Sequence, residues 1–258
     1  MTSQRDRVQL TLFQLDNYGP WTVTPAPRRE TDLQALQARV YASVADFVGR
    51  DDGYAFFDRF DNMIAVTNGI DEAAHATFQE WVRTQFPVTV SAGIGTGDTP
   101  VDALEHATQA IQAAGSAQSA TRTEVLAREG TQKTSGELTV VHFDVVDATG
   151  TYTDRVSAGD AGIIIKRAAV ELDAHLQRTH GAIANFVGGD NIIAICPPLT
   201  DTVVDDVRET ILEETGVELQ AGIGTGETAH EAGYRAKIAL EECRETGDRV
   251  HRAAYAEH

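Results

Sequence analysis

Lysine is nearly absent from this chain: Lys133, Lys166 and Lys237 are the three among 21 basic residues, set against 39 acidic ones for a formal net charge of −18. A surface this poor in positive charge repels nucleic-acid backbones and anionic membranes, so neither is expected as a partner. Such acidity resembles that of proteins from a high-salt, halophilic cytoplasm, where screening removes self-repulsion. Cysteine is scarce too. Cys196 and Cys243 form no C-x-x-C, and no His-Cys cluster has zinc spacing. His175 and His180 stand five apart, the wrong interval for one helix face, so zinc chemistry is set aside. No apolar run reaches the ~20 residues that span a bilayer. The opening MTSQRDRVQL has no apolar h-region, which predicts a cytoplasmic protein. An acidic protein that binds a polyphosphate has to bring metal ions or a few placed arginines.

What the chain has is repetition. LTLFQLD at 10–16, RFDNMIAV at 59–66 and VTVSAGIGTG at 88–97 return as LTVVHFD at 138–144, GGDNIIAI at 188–195 and VELQAGIGTG at 217–226. Asp16 and Asp61 lie 45 residues apart, Asp144 and Asp190 46. The 258 residues suffice for two domains of about 120, each with a core. The pattern predicts a duplicated domain, 1–130 and 137–258, joined by the polar stretch 130–137.

Local signals give each half its elements. Residues 8–15 read as a strand. Leu33, Leu36, Val40, Val44 and Phe47 recur at helical spacing over 31–48. Residues 54–60 and 63–67 flank the turn dipeptide Asp61-Asn62. A helix over 71–85, a strand over 88–94 and a helix opened by Thr99-Pro100 follow. Residues 116–129 read as a further helix leading into the linker. In the second half Thr228 and Glu231 fit a capping box. The order βαββαβ plus an extra helix predicts an α+β class: tandem ferredoxin-like (palm) domains, each an antiparallel sheet with helices on one face.

This topology carries the first strand's end, Asp16, toward the hairpin tip, Asp61, and does the same for Asp144 and Asp190. Paired carboxylates repel and want a cation, and oxygen ligands suit Mg²⁺. The GIGTG runs at 93–97 and 222–226 resemble phosphate loops. They lie at the opposite sheet end and lack the P-loop Lys-Ser/Thr, so they read as tight turns before a helix. The loop after Asp16 sets Asn17, Tyr18 and Trp21 before Arg28 and Arg29. Those arginines suit phosphate oxygens or ion pairs with surface acids. Tyr18 and Trp21 add two aromatic rings to that loop, and Asn17 and Asn62 add side-chain amides. In the second copy Gly188 and Gly189 permit close backbone approach, beside Asn191.

FQLDNYGPWTVTPAPRRETDLQALQARVYA at 13–42, RFDNMIAVTNGID at 59–71 and FVGGDNIIA at 186–194 resemble the archaeal GTP cyclohydrolase of the third type over nearly the whole chain. GGDN at 188–191 and Tyr234-Arg235-Ala236-Lys237 are similar, more distantly, to palm-type nucleotide cyclases, including diguanylate cyclases. The first resemblance implies two Mg²⁺ ions and a monovalent cation, K⁺, without zinc. It implies hydrolytic opening of the GTP imidazole ring with the formyl group retained, and phosphate release. The product is 2-amino-5-formylamino-6-(5-phosphoribosylamino)pyrimidin-4(3H)-one, for flavin and deazaflavin synthesis, made by a homo-oligomer (dimer or tetramer). It assigns catalysis and metal to Asp16 and Asp61, with Asp144 and Asp190 as internal counterparts. The residue chemistry read beside it makes Tyr18 and Trp21 candidates to stack on the guanine, Asn17 or Asn62 to read its edge, and Arg28, Arg29, Gly189 and Asn191 further substrate contacts. A nucleotide cyclase, activating a ribose hydroxyl with the same metals, and a GTP-sensing module without turnover stay open.

Overall fold

The computed structural model describes residues 8–119, 122, 124–130 and 136–253. They form two compact units. The first extends to Asp98 and from Asp102 to Gly136, and the second holds 99–101 and everything from Glu137. Most of the linker expected at 130–137 lies outside the described residues.

The first half runs β1 (Val8–Leu15), α1 (Tyr18–Val23), α2 (Glu30–Gly49), β2 (Tyr54–Arg59), β3 (Asn62–Val66), α3 (Glu72–Gln85), β4 (Val90–Gly97), α4 (Pro100–Gln112) and β5 (Leu126–Glu129). The second runs β6 (Leu138–Val145), a π-turn over Thr149–Thr153, α5 (Ala158–His180), β7 (Ile183–Gly188), β8 (Asn191–Cys196), α6 (Asp201–Thr215), β9 (Leu219–Gly226), α7 (Ala229–Thr246) and β10 (Val250–Arg252). The sheets are ordered β2-β3-β1-β4-β5 and β10-β9-β6-β8-β7. The expected βαββαβ core is present in each half, its first strand flanked by two antiparallel neighbours.

Strand alternation sorts the core. Phe13 and Leu15 turn to one face and pack with Val40 and Val44 of α2 and Phe78 and Val82 of α3. Phe143 and Val145 do the same with Leu172 of α5 and Val207 of α6. At ~25 cal/mol per Å² of apolar surface buried, these side chains stabilise each half by about 2 kcal/mol apiece. Asp71 caps α3 by accepting from the Ala74 amide at 2.8 Å. Thr228 caps α7 through the Glu231 amide, and Glu231 answers on the amide of Glu227, one residue earlier than a standard capping box.

Three expectations need correction. The GIGTG runs are strand, not turn. Their alternate glycines let the extra helix lie directly on the sheet: a Cβ on Gly95 would sit 2.0 Å from the Ala103 carbonyl oxygen, and one on Gly224 2.2 Å from that of Ala232. The helices therefore do not share one face, because α4 and α7 cover the side opposite the crossover helices. Within 116–129, finally, the regular element is a strand. β5 pairs parallel with β4, as β10 does with β9. Each covers a row of backbone donors and acceptors that would otherwise stand unpaired at the sheet edge.

Candidate active site

The two halves are not aligned as their letters suggest. Leu12 lies opposite Gly93, and His142 opposite the matching Gly222. Gln14 lies opposite Asn62 and Ser91, Asp144 opposite Asn191 and Gln220. The Asp16 amide donates to the Thr89 carbonyl at 3.0 Å, as the Val146 amide does to that of Glu218 at 2.9 Å. Asn17 and Asp147 then take the same left-handed turn, at φ 50° and 46°. The internal counterpart of Asp16 is thus Val146, and Asp144 holds the place of Gln14. This corrects the expected equivalence of Asp16 and Asp144. The step is two residues, about 7 Å along the strand, and it keeps both acids on the same sheet face.

Asp16 is 3 % exposed. Its Oδ1 accepts from Ser91 Oγ at 2.6 Å, its Oδ2 from Thr89 Oγ1 at 2.9 Å, and the buried Arg122 guanidinium places Nε 3.4 Å from Oδ1. Asp61 reaches the same sheet end through its backbone, its carbonyl accepting from the Leu15 amide at 2.9 Å. Its one-third exposed carboxylate lies 3.9 Å from Arg59 Nε and accepts from Asn62 Nδ2 at 3.3 Å. The topology brings Asp16 and Asp61 to one place, but each carboxylate has its own partners. Gln14 Nε2 donates to Asn62 Oδ1 at 3.0 Å.

Several atoms in this half are buried with no hydrogen-bond partner among the described residues: Asn17 Oδ1, the Tyr18 hydroxyl, Arg122 Nε and Nη2, and Glu124 Oε2. Burial, then the charges of Glu30 and Asp61, pushes the Tyr18 phenol up. Burial also raises Glu124, against the pull of Arg83. Tyr18 and Trp21 stack across the short α1, with ring centroids 6.1 Å apart. Arg28 lies over the Trp21 ring at 3.8 Å, a cation–π contact, and donates to the Trp21 carbonyl. Arg29 grips Asp32 through two bonds, 2.8 and 2.9 Å, in an exposed pair. Of the two expected phosphate arginines, one is engaged by an aromatic ring and one by a carboxylate.

In the second half the acids meet. Asp144 Oδ2 accepts from Arg244 Nη2 at 2.8 Å and Gln220 Nε2 at 2.9 Å, while its Oδ1 is buried with no hydrogen-bond partner among the described residues. Asp190 lies close enough for that charge to act on it. Burial first, then Asp144, holds its carboxyl above the usual carboxylate range. Arg244 is raised by its bond to Asp144. Gly188 and Gly189 form the turn at φ 115° and 64°. Asn191 Nδ2 donates to Asp190 Oδ1 at 2.9 Å, and His142 Nε2 meets Asn191 Oδ1 at 2.9 Å. Burial lowers His142, partly offset by Asn191 and Asp144. His142 belongs to no catalytic or metal-ligating motif that the sequence displays. The available signal was a lone imidazole on an apolar strand two residues before an acid.

A free, buried carboxylate oxygen beside a second carboxyl fits a hard divalent ion. Among the described residues no group of three or more His, Cys, Asp or Glu is arranged to hold a metal. An ion here would need water or ligand oxygens to complete its shell, as Mg²⁺ in phosphate sites does. His175 and His180 approach to 6.2 Å at the end of α5, closer than their spacing suggested, but with no third ligand among the described residues.

The family model described as GTP cyclohydrolase III matches residues 10–257. The chain is 55 % identical to GTP cyclohydrolase III 2 of Halobacterium salinarum over 245 residues, 94 % of this chain and 97 % of that one. It is 51 % identical to GTP cyclohydrolase III of Halorubrum lacusprofundi, covering 94 % and 95 %. It is 43 % identical to the Methanocaldococcus jannaschii protein of that name, covering 92 % and 88 %. Among solved structures, the GGEEF domain of a diguanylate cyclase from Vibrio cholerae aligns with TM-score 0.39 and 14 % identity, covering 46 % of this chain and 85 % of that one.

Proposed function

The chain belongs to the GTP cyclohydrolase III family, and from that premise we propose that it is a hydrolase acting on GTP. In this reading water opens the imidazole ring and the formyl group stays on the product. Phosphate is released, and the product is 2-amino-5-formylamino-6-(5-phosphoribosylamino)pyrimidin-4(3H)-one, a precursor for flavins and deazaflavins. The observation that carries it is identity above one half along nearly the full length of a GTP cyclohydrolase III. The reading includes Mg²⁺ with K⁺ beside it, and assembly as a dimer or tetramer.

The residues suit this chemistry. When bound, Mg²⁺ neutralises triphosphate charge and acidifies water. Asp144 and Asp190 would hold such an ion, with Asp144 Oδ1 as the open ligand atom. In the first half Asp61, with its one-third exposed carboxylate, and Asp16 would be the residues to hold a further ion. Asn17 Oδ1 and the Tyr18 hydroxyl are buried with no hydrogen-bond partner among the described residues. Leaving such atoms unpaired costs about 1–3 kcal/mol each. A guanine edge would supply what both lack: an N–H donor for Asn17 Oδ1 and a carbonyl acceptor for the Tyr18 hydroxyl.

Product analysis tests the reading. GTP incubated with the protein, Mg²⁺ and K⁺ should lose the purine absorption band and release phosphate. A cyclic nucleotide keeping the purine chromophore would make the protein a cyclase, and unchanged GTP after long incubation a sensor.

A further inference from the structure

Asn62 and Asn191 follow the hairpin acids Asp61 and Asp190, and each passes an amide N–H to its acid. A carboxylate accepts and does not donate, so the amide oxygen must face away and needs a donor of its own. In the first half that donor is Gln14, directly across the ladder at 3.0 Å. In the second half the place of Gln14 belongs to Asp144, itself an acceptor. The donor comes from one pleat further back: His142 Nε2 reaches Asn191 Oδ1 at 2.9 Å. The first half carries Leu12 at that place.

We infer that His142 is a positioning residue for the Asp144–Asp190 pair: its Nε2–H holds Asn191 with the amide nitrogen turned to Asp190, a task the first half gives to Gln14. The exchange of Gln for Asp at 144 adds a carboxylate to the site and removes the donor that Asn191 needs. His142 restores the donor from the same sheet face. Without it, Asn191 can rotate its oxygen toward Asp190, setting two acceptors against each other at the acid pair. The inference rests on the reading of Asp144 and Asp190 as ligands of a divalent ion. It adds to that reading a histidine acting through an amide on the acid pair, without touching substrate or ion.

The experiment uses Mn²⁺ as probe, with free ion followed by electron paramagnetic resonance, on the full chain and on His142→Leu, His142→Gln and Asp190→Asn. His142→Leu should weaken binding on the order of tenfold, the usual effect of losing a partner behind a ligand. His142→Gln should restore it to within about threefold, since an amide N–H replaces the imidazole N–H. Leucine occupies the matching place in the first half, so His142→Leu is expected to fold, and unchanged thermal unfolding verifies this. Long-range proton–nitrogen correlation spectra of the unsubstituted chain should show Nε2 protonated. Wild-type affinity in His142→Leu alongside loss in Asp190→Asn would overturn the inference, as would an Nδ1–H tautomer. Wild-type affinity in Asp190→Asn would instead overturn the metal reading, leaving the tautomer to decide how Asn191 is held.

Discussion

Asp144 stands in its sheet where Gln14 stands in the other, each directly across the ladder from the hairpin asparagine, Asn191 or Asn62. The second half therefore gathers two carboxyls around one asparagine, while the first keeps an amide there and sets Asp16 one pleat further out. Asp144→Asn and Asp190→Asn should each lower GTP turnover by about a hundredfold or more, roughly 2.7 kcal/mol of barrier, with the fold intact by circular dichroism. Full activity in both variants would take the chemistry away from this pair.

Arg122 and Asp16 form a buried ion pair, their side chains 3 % and 1 % exposed. Removing one member of such a pair strands a charge, at about 3–5 kcal/mol. Arg122→Met should accordingly lower the urea midpoint sharply. Asp16→Asn on the same background should recover part of the loss, because the amide keeps hydrogen-bonding capacity toward Ser91 and Thr89 without a net charge. A double variant no more stable than Arg122→Met would mean that the arginine acts by packing.

The duplication was legible because the hairpin acids and the glycine strands keep both their letters and their spacing. The two-residue slip between β1 and β6 was not. Sliding a strand by two preserves which side chains face the core, so LTLFQLD and LTVVHFD look matched when read by hydrophobic alternation. The one visible sign was the unequal interval between the acids, 45 residues against 46. The parallel edge strands β5 and β10 were missed because they are only four and three residues long, too short to show a period. Arg122 and Arg244 could not be assigned to Asp16 and Asp144 beforehand, since nothing local ties a side chain to an acid about 100 residues away.

The alternate glycines of β4 and β9 give a second test of the duplication. Gly95→Ala and Gly224→Ala each drive a methyl group into helix backbone, at 2.0 and 2.2 Å from a carbonyl oxygen. Backbone cannot rotate aside as a side chain can, so α4 or α7 must lift from its sheet. Overpacking of this kind costs about 1–3 kcal/mol or more. Both variants should melt several degrees lower by calorimetry, and by similar amounts. Gly69→Ala, where no atom lies within 4 Å of the new methyl but φ is +87°, tests backbone strain without that clash.

His75 makes the stability of the first half depend on pH. It is fully buried on α3, its ring stacked 5.9 Å from Phe13 and set edge-on to Phe47. Thr11 Oγ1 meets Nε2 at 2.9 Å, and the Asp71 carbonyl meets Nδ1 at 2.7 Å. A carbonyl only accepts, so Nδ1 carries the proton of the neutral ring and Nε2 accepts from Thr11. Burial is the largest influence and lowers the folded-state pKa; the Asp71 bond opposes it, Arg128 adds to it, and Asp71 and Glu72 oppose it by charge. Above about pH 6.5, the ordinary histidine value, both states hold the ring neutral and the contribution is fully present. Below that value the unfolded chain takes up a proton that the folded chain refuses, so stability falls as pH falls toward the lowered folded value. The slope for one proton reaches at most about 1.4 kcal/mol per pH unit. Urea unfolding between pH 7.5 and 5, below the range where Lys and Cys titrate and above that of most carboxylates, should show this decline, and His75→Phe should flatten it. An unchanged slope in that variant would assign the dependence to other groups.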